Sequence, residues 1–306
     1  MSILILSALV AALAAMAFAI PVRHAALRMQ WIDRPDKRKM HQSPVAYGGG
    51  IVIVAGIIAG LITVLLLQPE VISAEQRSVA FIIGLLVALL IGCWDDARGL
   101  SPWTKIGCQV AIGLGMWAAG FRVEKLTNPF GGAIHLNAVG ALLTVGWYVA
   151  LMNAMNLIDG LDGLAAGVAA IAGATILGIS SSWSEPATAV FSAILVGACI
   201  GFLPHNFFPA RMFLCDGGSL SLGYCLATLA LATSTKSSAL LALMFPVLAL
   251  LIPVADAVYA FIRRIKSGRH PFSGDQGHLH HRLLRLGLTH RRVVWIFYYL
   301  SAVNGV

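Results

Sequence analysis

Carboxylates in this chain sit where carboxylates are costly. Asp95 and Asp96 come directly after an apolar run. Two adjacent acids there repel unless a cation or a proton lies between them, so the pair reads either as a divalent-metal site or as solvated acids ending a helix. Asp159-Gly160-Leu161-Asp162-Gly163 carries two aspartates, each followed by glycine, with Asn153 and Asn156 just upstream. Glycine permits tight turns and close approach of a ligand. A capping turn explains one aspartate and one glycine, but not two of each with two asparagines, so this stretch points to chemistry. If the preceding helix runs on to Asn156, Asn153 and Asn156 share a face. Asp216-Gly217-Gly218-Ser219 opens another apolar segment, where free backbone N–H groups and the helix dipole favour a phosphate and Asp216 can hold Mg2+ against it. Asn206 and Arg211 lie just upstream, Arg211 as a charged clamp. His278, His280 and His281 stand in a basic loop without the spacing of a zinc site. Imidazoles donating to phosphate oxygens fit the neighbouring Arg269, Arg282 and Arg285 better. Arg34 to His41, which includes Lys39, has the density of a lipid-headgroup patch, and a phosphate-bearing lipid substrate needs the same charges at that depth.

These residues need a membrane scaffold. With 58% hydrophobic and 11% charged residues and a mean hydropathy of +0.84, the chain is too apolar for a soluble domain of 306 residues. Segments near the length of about 20 residues that crosses a bilayer occur at about 3–20, 48–67, 79–94, 105–121, 138–153, 163–183, 186–203, 219–235 and 240–262, with a tenth beginning near 293. Period-two alternation is missing from them, which argues against a barrel and leaves helices. The expected fold is therefore all-α, a single polytopic transmembrane bundle over 1–306 with about ten spans. Ala17-Phe18-Ala19 resembles a signal-peptide cleavage site, but the basic residues follow that stretch instead of preceding it, so an uncleaved first helix with its N-terminus outside fits better. The segments 21–47, 95–105, 153–163, 204–219 and 263–292 hold 17 of the 21 Lys and Arg, which places them on the cytoplasmic face. Every cluster described above lies in these five segments, and convergence in one bundle mouth is the main functional expectation, since acids at a membrane edge are retained for chemistry or transport. The net charge of +8 is tied to helix ends, so nucleic-acid binding is not expected. Cys93, Cys108, Cys199, Cys215 and Cys225 show no metal-ligand spacing and read as free thiols.

Taken in order from Asp33 to His281, these clusters resemble the polyprenyl-phosphate N-acetylhexosamine-1-phosphate transferase family (glycosyltransferase family 4 of bacterial membranes). His278-Leu279-His280-His281 is similar to the H-x-H-H pattern of its O-antigen and common-antigen branch. The resemblance implies ten or eleven spans in the bacterial inner membrane, a cytoplasmic active site, and often a homodimer. Polyprenyl phosphate would attack the β-phosphorus of a UDP-N-acetylhexosamine and release UMP, with Mg2+, or Mn2+ in its place, as cofactor. By that resemblance Asp216 with Asn153 or Asn156 holds the metal, and Asp159 and Asp162 meet nucleotide or metal. Lys39, His41, Lys105, Asn206, Arg211, Ser219, Arg282 and the histidines hold substrate, and Asp95 and Asp96 face the lipid phosphate. A phosphate monoester has its second pKa near ~6, so the acceptor is already largely dianionic at neutral pH. Positioning therefore suits Asp95 better than a base role. Two departures stand out: Cys215 replaces the glycine that usually precedes the metal-binding aspartate, and the sequence stops at Val306, as a short or incomplete member would. The alternative from another class is a secondary transporter. It fits less well, because the outer loops are nearly empty of candidates and only Asp256 lies well inside a span. No residue identifies the sugar.

Overall fold

The computed structural model describes residues 2–34, 43–73, 77–123, 125–127, 133–233 and 279–305, with isolated positions at 255, 259, 263 and 266. Lys39, His41, Asp256, Arg269 and His278, and most of the expected span at 240–262, lie outside the described residues. In chain order the elements are α1 (Ser2–Arg28), β1 (Ile32–Asp33), β2 (Val45–Ala46), α2 (Gly49–Leu67), α3 (Pro69–Ser73), α4 (Ser78–Arg98) and α5 (Pro102–Ala118). They continue with β3 (Lys125–Thr127), β4 (Ala133–His135), α6 (Asn137–Ile158), α7 (Leu164–Ser182), α8 (Pro186–Asn206), α9 (Cys215–Thr233), α10 (Leu279–Arg285) and α11 (His290–Gly305). The strands form two antiparallel ribbons, β1 with β2 and β3 with β4.

Six described helices, α1, α2, α4, α6, α7 and α8, are long and apolar enough to cross a membrane. The protein is thus an all-α, multi-pass membrane protein. α5 and α11 coincide with expected segments but have 17 and 16 residues. α9 has 19 residues yet falls outside the six, because Gly, Ser and Thr replace lipid-facing apolar side chains along it. It has no need of them: almost every residue from Gly217 to Thr233 is buried, and α4, α6, α2, α7 and α8 all pack on it. Small residues at a helix interface let backbones approach. The same device fastens α1 to α8. A Cβ on Gly197 or Gly201 would stand 2.1 Å from Ala8 O or 2.0 Å from Ala12 O.

Several helices outrun the apolar segments that announce them. α1 continues beyond residue 20 to Arg28, so Arg23 and Arg28 ride on its last turns, where basic side chains suit the C-terminal end of the dipole. α4 carries Asp95 and Asp96 within its last turn, and α6 carries Asn153 and Asn156 before ending at Ile158. The expected loops 21–47, 95–105 and 153–163 are therefore partly helical, and their chemical side chains stand on rigid elements. α5 starts as a helix should. Ser101 caps it by accepting from Thr104 N at 3.1 Å, and Pro102 follows at the first helical position. That start puts Lys105 in its opening turn.

Candidate functional site

Four helix ends meet around one ammonium. Lys105 Nζ, from the start of α5, lies 2.6 Å from Asp216 Oδ2 at the start of α9 and also forms an ion pair with Asp95 Oδ2 at the end of α4. Asn156 Nδ2, from the end of α6, donates to Asp216 Oδ1 at 2.6 Å and to Ser219 Oγ at 3.0 Å. Asp95 is itself anchored. Its Oδ1 accepts from Leu100 N at 2.6 Å, and Gly99, with φ +69°, closes the turn between α4 and α5. Because Asn156 can only donate to a carboxylate through its Nδ2, its Oδ1 is left facing away from Asp216 as an acceptor.

The neighbouring carboxylate, Asp96, does something different. Its Oδ1 accepts from Asp216 N at 2.9 Å and its Oδ2 from Gly217 N at 3.0 Å, while Gly218 N bonds Leu214 O at 3.3 Å. The expectation that α9 offers free N–H groups to a phosphate is therefore corrected. Asp96 already takes two of them, as a cap delivered from another helix. Close packing makes this reach feasible. Gly92, one turn before Asp96, lies against Asp216 and Gly217, and Gly50 of α2 lies against Gly217 and Gly218.

The remaining expected residues divide between the mouth and its supports. Asp159 follows α6, and burial, then the charges of Asp216 and Asp96, push its carboxyl well above the usual carboxylate range. Asp162 Oδ2 accepts from Ala210 N at 2.9 Å. Asn206, expected to touch substrate, is 2% exposed, and both ends of its amide are engaged: Oδ1 accepts from Gly163 N and Nδ2 donates to Met212 O, each at 3.0 Å. It braces the turn into α7 against the α8–α9 connection. Ser219 is fully buried beneath Asn156. Asn153 donates to Gln109 Oε1 at 2.5 Å and to Val149 O at 2.7 Å, which is a different partner set from that of Asn156. The Arg211 side chain is exposed, and its carbonyl accepts from Arg23 Nε at 3.2 Å. Arg282 lies with its guanidinium 5.7 Å from the Tyr259 ring centroid, and His280 and His281 fall in α10.

Further contacts draw the other segments to the same end of the bundle. The β1–β2 ribbon is tied to the α8–α9 connection by Phe213 N to Ala46 O at 2.9 Å and Gly49 N to Phe213 O at 3.0 Å. Tyr47 donates to Asp33 Oδ1 at 3.1 Å, and burial together with the Asp33 charge raises its hydroxyl above its ordinary value. From α11, Tyr298 donates to Gly163 O at 2.5 Å, Arg291 to Phe208 O at 3.1 Å, and His290 stacks on Phe208 at 4.5 Å. Described parts of all five expected segments thus touch one mouth. Gln109, His290 and Tyr298 escape a reading of the sequence. The one available signal is for Gln109, a lone amide in an apolar helix one turn after Lys105.

Comparison with known proteins agrees with this arrangement. Residues 78–234, which hold Asp95, Lys105, Asn156 and Asp216, match the family described as Glycosyl transferase family 4. The chain is 33% identical over 286 residues to "Probable undecaprenyl-phosphate N-acetylglucosaminyl 1-phosphate transferase" of Bacillus subtilis (strain 168), covering 93% of this chain and 78% of that protein. The chain belongs to the polyprenyl-phosphate N-acetylhexosamine-1-phosphate transferase family. Also similar are the decaprenyl-phosphate N-acetylglucosaminephosphotransferase of Mycolicibacterium smegmatis (35% over 303 residues; 90% of this chain, 74% of that one) and the phospho-N-acetylmuramoyl-pentapeptide-transferase of Nostoc punctiforme (33% over 293 residues; 91% and 79%). As a member of this family, the chain is an enzyme that transfers a sugar phosphate.

Two features of this transferase bear on whether the site could hold a divalent ion. Among the described residues, no three His, Cys, Asp or Glu side chains form a ready metal cage. Mg2+ does not require one, since it is held by one or two carboxylates together with substrate phosphates. The donor set fits such an ion. Asp95 and Asp216 share a single ammonium, and Asp96 and Asp159 lie close enough to feel the Asp216 charge. At full ionisation two carboxylates would share one ammonium with two more carboxylates close by, an excess of negative charge that a divalent ion would offset. The second feature is Cys215, whose φ of +60° is a left-handed conformation natural to glycine, immediately before Asp216.

Proposed function

We propose that this transferase moves N-acetylhexosamine 1-phosphate from a UDP-sugar to polyprenyl phosphate, with release of UMP, and that it begins a cell-envelope glycopolymer, O-antigen or a similar one. The observation that carries the reading is the Asp95–Lys105–Asp216 array at the mouth of an apolar bundle. It offers a charge pair, an adjacent amide and a carboxylate surplus where a water-soluble diphosphate can meet a lipid headgroup at the membrane edge. N-Acetylglucosamine is the favoured sugar, because the B. subtilis and M. smegmatis relatives are both named for it. The N. punctiforme relative, named for a muramoyl-pentapeptide, supplies the competing substrate for the test.

Asp216, with Asp95 and with Asn156 beside it, would hold Mg2+, and the ion would supply Lewis-acid neutralisation of the diphosphate as UMP departs. Lys105 holds phosphate charge once the donor enters, exchanging a carboxylate partner for a phosphate oxygen. Asp95 positions Lys105, since its other oxygen is committed to Leu100 N. A phosphate acceptor that is already dianionic needs no base. Arg211, exposed on the α8–α9 connection, the basic residues Lys39 and Arg282, and the histidines His41, His278, His280 and His281 receive the more distant phosphate. Asp159 and Asp162 border the nucleotide. The mouth faces the cytoplasm of the inner membrane, a placement that the distribution of Lys and Arg supports.

The test uses purified full-length protein in detergent. UMP release from UDP-N-acetylglucosamine is expected only when polyprenyl phosphate and Mg2+ are both present, and little is expected from the UDP-muramoyl-pentapeptide. UMP formed without the lipid would replace transfer with hydrolysis, and binding without turnover would favour the transporter.

A further inference from the structure

The paired aspartates look interchangeable in sequence, yet they face different partners. Asp95 pairs with a side chain, Lys105. Asp96 instead meets backbone, each of its two oxygens accepting one N–H from the first turn of α9, 120 and 121 residues further on. Both of those donors belong to the turn that carries Asp216. Helix starts normally satisfy such N–H groups with their own capping side chain, but the residue before α9 is Leu214 and its first residue is Cys215, neither of which can serve. α4 therefore supplies the cap that α9 lacks.

We propose that Asp96 is a positioning residue. By capping α9 from α4 it fixes the first turn of α9, and hence the direction in which the Asp216 carboxylate points. It neither transfers a proton nor contacts substrate. Three features support this. Each Asp96 oxygen accepts one backbone N–H from the first turn of α9, at 2.9 and 3.0 Å, so the carboxylate is oriented by that turn. α9 is also held at this end by the Asp159 carboxylate on the Cys215 backbone and by close packing of Gly92 and Gly50 against Gly217 and Gly218, but it is Asp96 that takes the N–H groups of Asp216 and Gly217 themselves. Finally, Asp216 makes short contacts on both sides, 2.6 Å to Lys105 and 2.6 Å to Asn156, which a modest swing of the turn would break. The negative charge of Asp96 also complements the positive end of the α9 dipole.

The experiment compares Asp96→Asn with Asp96→Ala in the full-length protein. Asparagine keeps one of the two acceptor oxygens that the first turn of α9 uses, whereas alanine keeps neither. A capping role predicts a ranking: Asp96→Ala melts lower than the parent by about 2–4 °C, and Asp96→Asn melts between the two. In UMP release, Asp96→Ala is expected to lose about 100-fold in kcat, the scale of a misplaced catalytic group, with KM for both substrates little changed. Asp96→Asn is expected to recover at least about tenfold of that loss and to keep the parent's pH–rate profile. If Asp96→Asn is as inactive as Asp96→Ala, or if its rate is rescued by raising the pH, Asp96 acts as a base or ligand and the proposal falls. Equal melting temperatures for the two variants would also overturn it. Only the kinetic arm rests on the proposed transferase reaction. Should the parent protein fail to release UMP, that reading fails, while the melting comparison still decides whether Asp96 is a cap.

Discussion

Adding one methyl group at Gly92 tests whether the site depends on how closely α4 and α9 approach. A Cβ at this position would lie 2.4 Å from Asp216 O, 2.5 Å from Asp216 C and 2.5 Å from Gly217 Cα, where ordinary contact begins at 3.4 Å. All three atoms are backbone, so no rotamer can move aside, and relief requires the first turn of α9 to shift by about 1 Å relative to α4. The Asp96 bonds to Asp216 N and Gly217 N, at 2.9 and 3.0 Å, would then stretch toward about 4 Å, beyond hydrogen-bonding range. The Asp216–Lys105 contact would leave its present geometry as well. Overpacking of this kind costs about 1–3 kcal/mol of stability, and a misplacement near 1 Å costs about 100-fold in rate. The assay is UMP release by Gly92→Ala, with Gly115→Ala as control, since a Cβ at Gly115 of α5 would meet nothing within 4 Å and alanine favours a helix interior by about 0.5–1 kcal/mol. Gly115→Ala is expected to match or exceed the parent's stability at full activity. If Gly92→Ala keeps more than half of the parent rate with an unchanged melting temperature, the close approach is not what sets the position of Asp216.

Lys105→Met removes the charge shared by Asp95 and Asp216 while keeping an apolar stem. Because Lys105 is about one-quarter exposed, the expected stability loss is about 1–3 kcal/mol, below that for a fully buried pair, and UMP release should fall by at least about 100-fold. The signature to measure is a rise in melting temperature on adding Mg2+ that is larger in the variant than in the parent, and equal rises would contradict the shared-charge account. For Asp159 the sign follows from its raised pKa. The folded state favours the protonated acid, so this group's contribution is fully present below the unfolded value of about 3.9 and is lost as pH climbs through the folded pKa. Asp159→Asn should therefore gain stability over the parent as pH rises, measured in chelator, and a pH-independent difference would be inconsistent with a desolvated carboxyl. At Cys215, with φ +60°, valine should cost about 1–2 kcal/mol more than glycine, as read from melting temperatures of Cys215→Val and Cys215→Gly. Equal stability of the two would argue against a left-handed turn there.

Much of this architecture is written locally. Apolar runs announce helices wherever neighbouring residues share a bilayer environment, and α1, α2, α4, α6, α7 and α8 appear where such runs lie. Ser101-Pro102 marks the start of α5 because capping involves residues only a few positions apart. What is harder to read is where polar sequence continues a helix. Arg23, Asp95 and Asn156 lie beyond the apolar runs, yet all three are helical, since hydropathy records the lipid and not the backbone. The candidate residues themselves were recognisable by type, from Asp95 and Lys105 to Asn156 and Asp216, because carboxylates and amides at a membrane edge are costly without a task. Their partners were not. Asp96 looks like the twin of Asp95 until the first turn of α9 is seen to bond it, and Asn206 looks like a substrate contact until its amide is found bonded to Gly163 and Met212. Nothing within a few residues of Asp96 or Asn206 carries that information. Chain order alone therefore determined a bundle of apolar helices with its chemistry gathered at helix ends. Only packing decided which carboxylate holds the ammonium and which caps a helix, because the bonds from Lys105 and Asp96 to α9 join groups more than a hundred residues apart, brought together by glycines that let helix backbones touch.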